Sequence, residues 1–172
     1  MNHPLTRPTE TSGASEKVIV HIVNDRTTNW GGAFARALRD RYPAAQDDFR
    51  EWVRLGDGSL RLGSVCVSQV AEDLHVATIV AQHGYGQSRA PRLRYTALRE
   101  GLRTVAGVAS VHGGRVAMPR IGAGQAGGSW PLIRELIEET LTRNGIAVTV
   151  YVPPNQSVAD PVTEPAELTL GI

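Results

Sequence analysis

Three short stretches carry residue types suited to phosphate and glycosyl chemistry. They are Asn24-Asp25 with the following Trp30-Gly31-Gly32, Gln82-His83-Gly84, and a run with glycines at 122, 124, 127 and 128. Glycine admits positive φ and lets backbone N–H groups come close to a ligand. A glycine loop that opens a helix therefore offers donors and partial positive charge to a phosphate. Two such loops suit a diphosphate. Asp25 and His83 are the residues in these loops fitted for acid–base work, since an imidazole with an ordinary pKa of about 6.5 exchanges protons near neutrality. Lys17 is the one lysine of the chain, so a mechanism that needs an amine nucleophile has a single candidate. No metal site and no cofactor are read from the sequence.

The third stretch, Gly122-Ala123-Gly124-Gln125-Ala126-Gly127, matches the dinucleotide fingerprint G-x-G-x-x-G. That pattern gains meaning only after the first strand of a βαβ unit, with an acidic residue about 20 positions on to hold the ribose. Residues 114–118 read as a buried strand and 130–143 as an amphipathic helix, with Pro131 tolerated in its first turn. The remaining strand, 146–152 (IAVTVYV), has no acidic residue at its end. The loop is a phosphate cradle in the wrong place for a nicotinamide-dinucleotide fold.

The elements that must position these loops follow from hydrophobic patterning. Residues 18–23 (VIVHIV) form a β-branched run typical of a strand buried on both faces of a largely parallel sheet. Residues 33–41 read as a helix stopped by Tyr42-Pro43, and 47–54 as a short helical segment. Residues 65–70 and 74–82 read as an antiparallel hairpin, 83–91 as a loop and 93–108 as a helix. Strands alternating with helices imply a three-layer α/β/α domain over residues 16–153 with a central mixed sheet. Residues 1–15 read as a flexible lead-in, and the Pro-rich residues 154–172 as a partly ordered tail.

The 172 residues fit one domain with one core. A formal charge of +1 with scattered basic residues argues against nucleic acid as a partner. Five arginines between 89 and 103 read as a solvated helix face. The lone Cys66 points to a reducing compartment, and no stretch approaches the roughly 20 apolar residues of a membrane span. A cytoplasmic monomer is expected.

The stretches VIVHIVND, NWGGAFARAL, VATIVAQHG and VAMPRIGAGQAGGSW resemble a macrodomain, the ADP-ribose-binding module. The resemblance covers about residues 17–153 and is greatest to the branch that includes terminal ADP-ribose protein glycohydrolase. It implies an α/β/α macrodomain whose partner is ADP-ribose or an ADP-ribosylated protein. Asn24 and Asp25 would face the distal ribose. Trp30 leads into a first phosphate loop of Gly31, Gly32, Ala33 and Phe34. Ile121, Gly122, Ala123, Gly124, Gln125, Ala126, Gly127 and Gly128 would form the second, with Tyr151 near the adenine.

In the glycohydrolases of that branch a lysine after the VATIVAQHG-type strand attacks the anomeric carbon, and an aspartate in the second loop assists. Here those places fall at Gln82-His83 and at Ala126. The resemblance also implies an acidic residue for adenine in a G-D-x-T-type stretch, which TETSGASEK does not supply. A lysine-independent hydrolase remains chemically open. A carboxylate, with a parent pKa of about 4, leaves far more readily than guanidine. The expected activity is removal of mono-ADP-ribose from acidic side chains, with Asp25 and His83 as catalytic candidates. A non-catalytic ADP-ribose reader and an ADP-ribose 1″-phosphate phosphatase are the alternatives.

Overall fold

The computed structural model of the chain describes residues 16–57, 60–152 and the backbone of 167–170. Strands β1 (Lys17–Asn24), β2 (Val65–Ala71), β3 (Leu74–Gln82), β4 (Arg115–Pro119), β5 (Ala147–Tyr151) and β6 (Glu167–Leu170) form one sheet in the order β2-β3-β1-β4-β5-β6. The central pairs β3·β1, β1·β4 and β4·β5 are parallel, and the flanking pairs β2·β3 and β5·β6 antiparallel. The mixed sheet and the hairpin agree with the sequence pattern.

Because successive strand side chains point to opposite faces, the buried residues of β1 and β3 divide between two cores. Val18, Val20, Ile79 and Ala81 meet α3 (Tyr95–Val111) and α4 (Trp130–Thr140) through Leu98, Leu102, Val105, Ile133 and Ile137. Val23, Val76 and Val80 meet α1 (Ala33–Arg41) and α2 (Pro43–Leu55) through Leu38, Phe49 and Val53. This is the three-layer α/β/α arrangement.

Two helix boundaries and one strand depart most from the sequence expectation. Helix α2 begins at Pro43 rather than near 47, because proline at the first helical position starts a helix as readily as it ends the preceding one. Helix α4 stops at Thr140 and is followed by a single 3-10 turn, Thr142–Asn144, that closes on Gly145 at φ 78°. Strand β6 was not expected after the proline-rich stretch. The expectations for residues 1–15 and for the rest of 154–172 lie outside the described residues. Cys66 is buried in the α1/α2 core, and burial first, then the Asp48 charge, push its thiol up to about 11. That rules it out as a thiolate nucleophile near neutral pH. Among the described residues no helix is long and apolar enough to cross a membrane.

Candidate functional site

Parallel pairing of β3, β1 and β4 brings the loops that follow them to one edge of the sheet, the usual ligand edge of such folds. Backbone hydrogen bonds then stitch these loops together. Asp25 N–H donates to the Gln82 carbonyl at 2.9 Å, and His83 N–H to that of Arg92 at 2.8 Å. The N–H groups of Arg92 and Leu93 both donate to the Ala126 carbonyl, at 2.8 and 3.0 Å. Asp25, His83 and the second glycine loop therefore belong to one hydrogen-bonded surface.

His83 Nδ1 lies 2.8 Å from Asp25 Oδ2, and Gly84 N–H donates to Asp25 Oδ1 at 2.8 Å. Burial pushes the Asp25 carboxyl upward. The Gly84 N–H, the His83 hydrogen bond and charge, and the Arg26 charge outweigh it and hold the group below the usual carboxylate range. An ionised carboxylate only accepts, so neutral His83 carries its proton on Nδ1 and leaves the Nε2 lone pair free. The His83 side chain is 43% exposed and that of Asp25 11%, so the imidazole faces solvent while its partner is sheltered.

Arg92 braces this loop from below. Its Nε donates to the Gly86 carbonyl at 3.0 Å, Nη1 to that of His83 at 3.2 Å and Nη2 to that of Gln87 at 3.3 Å. The arginine was hidden within a segment that reads as a solvated helix face. It precedes α3, and its position before the helix is the one signal that sets it apart. Gln82 turns its amide back to the Gly84 carbonyl at 2.9 Å, so it shapes the same loop.

The second glycine loop adjoins this pair through the Ala126 carbonyl, and the first follows β1 and opens α1. Gly32 caps α1 with no side-chain hydrogen bond at the helix start, leaving the first-turn N–H groups of Ala33 and Phe34 without a cap. Gly31, Ala33 and Phe34 are exposed. In the second loop Gly127 N–H donates to Gly124 and Gly128 N–H to Gly122, at 3.0 and 2.8 Å. Gly124, Gln125 and Gly127 are exposed, whereas Gly122 and the side chains of Ile121 and Ala126 are buried and Ala123 is half-buried. A cleft of about 590 Å³, lined by Gly86, Gln87, Ser88, Arg89 and Gln125, adjoins the His83 loop. A second depression, of about 460 Å³ beside Arg103 and Glu139, lies on the outer surface of α3 and α4, away from this edge.

A solved macrodomain protein from Streptomyces coelicolor superposes with a TM-score of 0.69 at 36% identity, over 81% of this chain and 89% of that one. The chain belongs to the macrodomain family. A chromodomain-helicase-DNA-binding protein 1-like from Danio rerio is 31% identical over 146 residues, 79% of this chain. The macrodomain spans about one seventh of the length of that relative, 14%. A Thermosipho africanus DarTG structure in complex with ADP-ribose shares the fold, with a TM-score of 0.65 at 18% identity over 84% of this chain and 40% of that one. No family model matches the chain.

Within this macrodomain the residues singled out from sequence do not all present side chains to the edge. Trp30 is 1% exposed and packs edge-on against His21 at 4.6 Å and beside Phe49, so only its backbone is available to the first loop. Asn24 Oδ1 accepts from the N–H groups of Arg26 and Thr27 at 2.9 and 3.0 Å, which makes the side chain a turn cap. Tyr151 is exposed at the end of β5, and Lys17 Nζ lies 5.5 Å from its ring centre. Lys17 starts β1, at the opposite end of that strand from Asn24, and its ammonium extends toward β5 and not toward the His83 loop.

Proposed function

We propose that this macrodomain binds ADP-ribose along the loop edge and hydrolyses it from acidic side chains of ADP-ribosylated proteins. Its fold-level likeness to part of the Thermosipho africanus DarTG, a protein solved in complex with ADP-ribose, supports the ligand. The Asp25–His83 pair on the same hydrogen-bonded surface as the second glycine loop supports the chemistry. In this reading the N–H groups of Gly31 to Phe34 and of Gly124 to Ala126 receive the diphosphate, and Tyr151 lies near the adenine.

His83 Nε2 takes a proton from water as the water oxygen bonds to the anomeric carbon. The bond from that carbon to the side-chain carboxylate oxygen breaks, and its electron pair leaves on the carboxylate. Asp25 holds the tautomer and offsets the charge of the imidazolium. Both of its oxygens are engaged, so it positions the base and does not act as one. The reading takes the chain into the glycohydrolase-like branch but gives the work of the absent lysine and aspartate to water and a histidine.

Calorimetry with ADP-ribose is expected to show micromolar affinity, on the order of −8 kcal/mol. Release from glutamate-linked protein should exceed release from arginine-linked protein, without a borohydride-trapped adduct at Lys17. His83→Ala should slow release by up to about 10²- to 10⁴-fold with ADP-ribose still bound. Equal rates on both linkages, or an adduct on Lys17, would overturn the mechanism. Binding without release from either substrate would make the protein a reader. The alanine at position 126 favours that second reading.

A further inference from the structure

A second cluster of ionisable groups lies at the other end of the sheet from the loops. Glu16 immediately precedes β1, His75 is the second residue of β3, and His112 caps the C-terminus of α3. The segments are distant in the chain, and the β1·β3 pairing with α3 lying over it brings them together. Lys17 N–H donates to the Asp73 carbonyl at 2.9 Å, which fixes the entry to β1 beside the start of β3.

One nitrogen of each imidazole and one Glu16 carboxylate oxygen all lie within 4.8 Å of one another. Glu16 Oε2 is 3.6 Å from His75 Nδ1 and in contact with His112 Nδ1. The two rings lie 4.2 Å apart between centres at 31°, with both Nδ1 atoms turned toward the carboxylate. The His75 side chain is 9% exposed. Its Nδ1 is buried and takes part in no hydrogen bond, and the buried Glu16 Oε2 is held only by its ion-pair contacts with the two imidazoles. Buried polar atoms are ordinarily satisfied, and a His75 nitrogen without a hydrogen bond, aimed at a carboxylate oxygen shared with a second imidazole, calls for a partner common to the three.

We propose that Glu16, His75 and His112 bind a divalent zinc-type ion. Neutral imidazole nitrogens and one carboxylate oxygen are the borderline set that zinc accepts, whereas calcium and magnesium take oxygen ligands. Ligand atoms about 3.3 Å apart surround a tetrahedral zinc with bonds of roughly 2.0–2.1 Å, so opening the Glu16–His112 contact while the wider separations close fills three positions and leaves the fourth to water. The ion would staple the segment before β1, the start of β3 and the end of α3. It has no part in the chemistry at the loop edge.

Zinc titration of the chelator-treated full chain tests this, with bound metal counted by elemental analysis after dialysis. One zinc per chain is expected, with a melting temperature raised by about 5 °C in excess zinc. Cobalt in its place should give the visible absorption of a four-coordinate site. Glu16→Gln and His112→Ala change partly exposed side chains and should fold. Each should weaken zinc binding roughly 100-fold or more and remove the thermal shift. His83→Ala should keep the zinc. No uptake at 100-micromolar zinc (~10⁻⁴ M, weaker than a built protein site) would overturn the proposal, as would zinc retained in His112→Ala or lost in His83→Ala.

Discussion

The two glycine loops are alike in sequence, each a short glycine run ahead of a helix, and unlike in construction. A Cβ at Gly31 or Gly32 would meet nothing within 4 Å, and Gly32 sits at φ −64° and ψ 152°, open to any residue. The second loop is bound into the protein. Gly122 and Gly127 have φ of 73° and 68°, and a Cβ at Gly128 would lie 2.4 Å from Leu93 Cδ2 and 2.7 Å from the Gly122 carbonyl oxygen. Gly124 alone in that loop resembles the first, with nothing within 4 Å and no positive φ. A glycine run can thus serve the ligand, the fold or both. Free space at Cβ separates the cases.

The contrast breaks most visibly at Gly124. Gly124→Glu sets a carboxylate against the diphosphate and is expected to lower ADP-ribose affinity by about 10³-fold, roughly 4 kcal/mol, by calorimetry. Its melting temperature should match the parent. A parent-like affinity would assign the whole second loop to structure.

Gly128→Ala should do the reverse, costing about 3 kcal/mol in urea denaturation, since one of its two obstacles is backbone and cannot rotate away. Unchanged stability would mean that the loop can shift, and the contrast with the first loop would dissolve.

The first loop is supported through Trp30, which rests against His21. Full burial lowers the His21 pKa to about 3. Its neutral form donates no charge to the core, and its Nε2 is 2.8 Å from the Thr78 hydroxyl. In the unfolded chain the histidine takes a proton below pH of about 6.5, and in the fold it does not until about 3. Stability from His21 is therefore complete above the unfolded value and is lost as pH falls through that window, by about 1.4 kcal/mol per pH unit. Urea titrations at several pH values should show this slope in the parent and a shallower one in His21→Gln, where His75, its pKa lowered by burial and by the His112 charge, still contributes. Asp25, with its folded pKa below the usual carboxylate range, has its contribution in full above that range and loses it only at more acidic pH. An identical slope in His21→Gln would detach acid sensitivity from this residue.

The smallest effect belongs to Gly32→Ala. With open space at Cβ, stability should stay within about 0.5 kcal/mol. Affinity should drop less than about tenfold, under 1.4 kcal/mol, because a methyl group crowds the phosphate without repelling it. A loss as large as that of Gly124→Glu would make the first loop the principal phosphate contact.

The elements with strong local signals were legible. The β-branched run of β1, the continuous apolar strand β3 and the helix α1 ending before Tyr42-Pro43 emerge close to where patterning puts them. The start of α2 was not, because one proline serves two helices. Strand β6 depends on a partner edge, β5, that patterning over four residues cannot supply. At the site, Asp25 and His83 each stood out by residue type. Arg92 did not, since its role is to hold three carbonyls that share no sequence motif. Trp30 stood out for its place in the first loop, and the structure spends it on the core.

The sequence by itself determined the chain order of strands and helices as far as β5, the glycine loops, the absence of lysine from them and the residue types available for proton transfer. These are local properties, set by side-chain periodicity and by the backbone freedom of glycine. Only the tertiary structure decided that Asp25 meets His83, and that Glu16, His75 and His112 converge at the opposite end of the sheet. Each of these meetings depends on which strands lie side by side. Strand order is fixed by the burial of two sheet faces across the whole domain, and no short stretch of sequence contains that information.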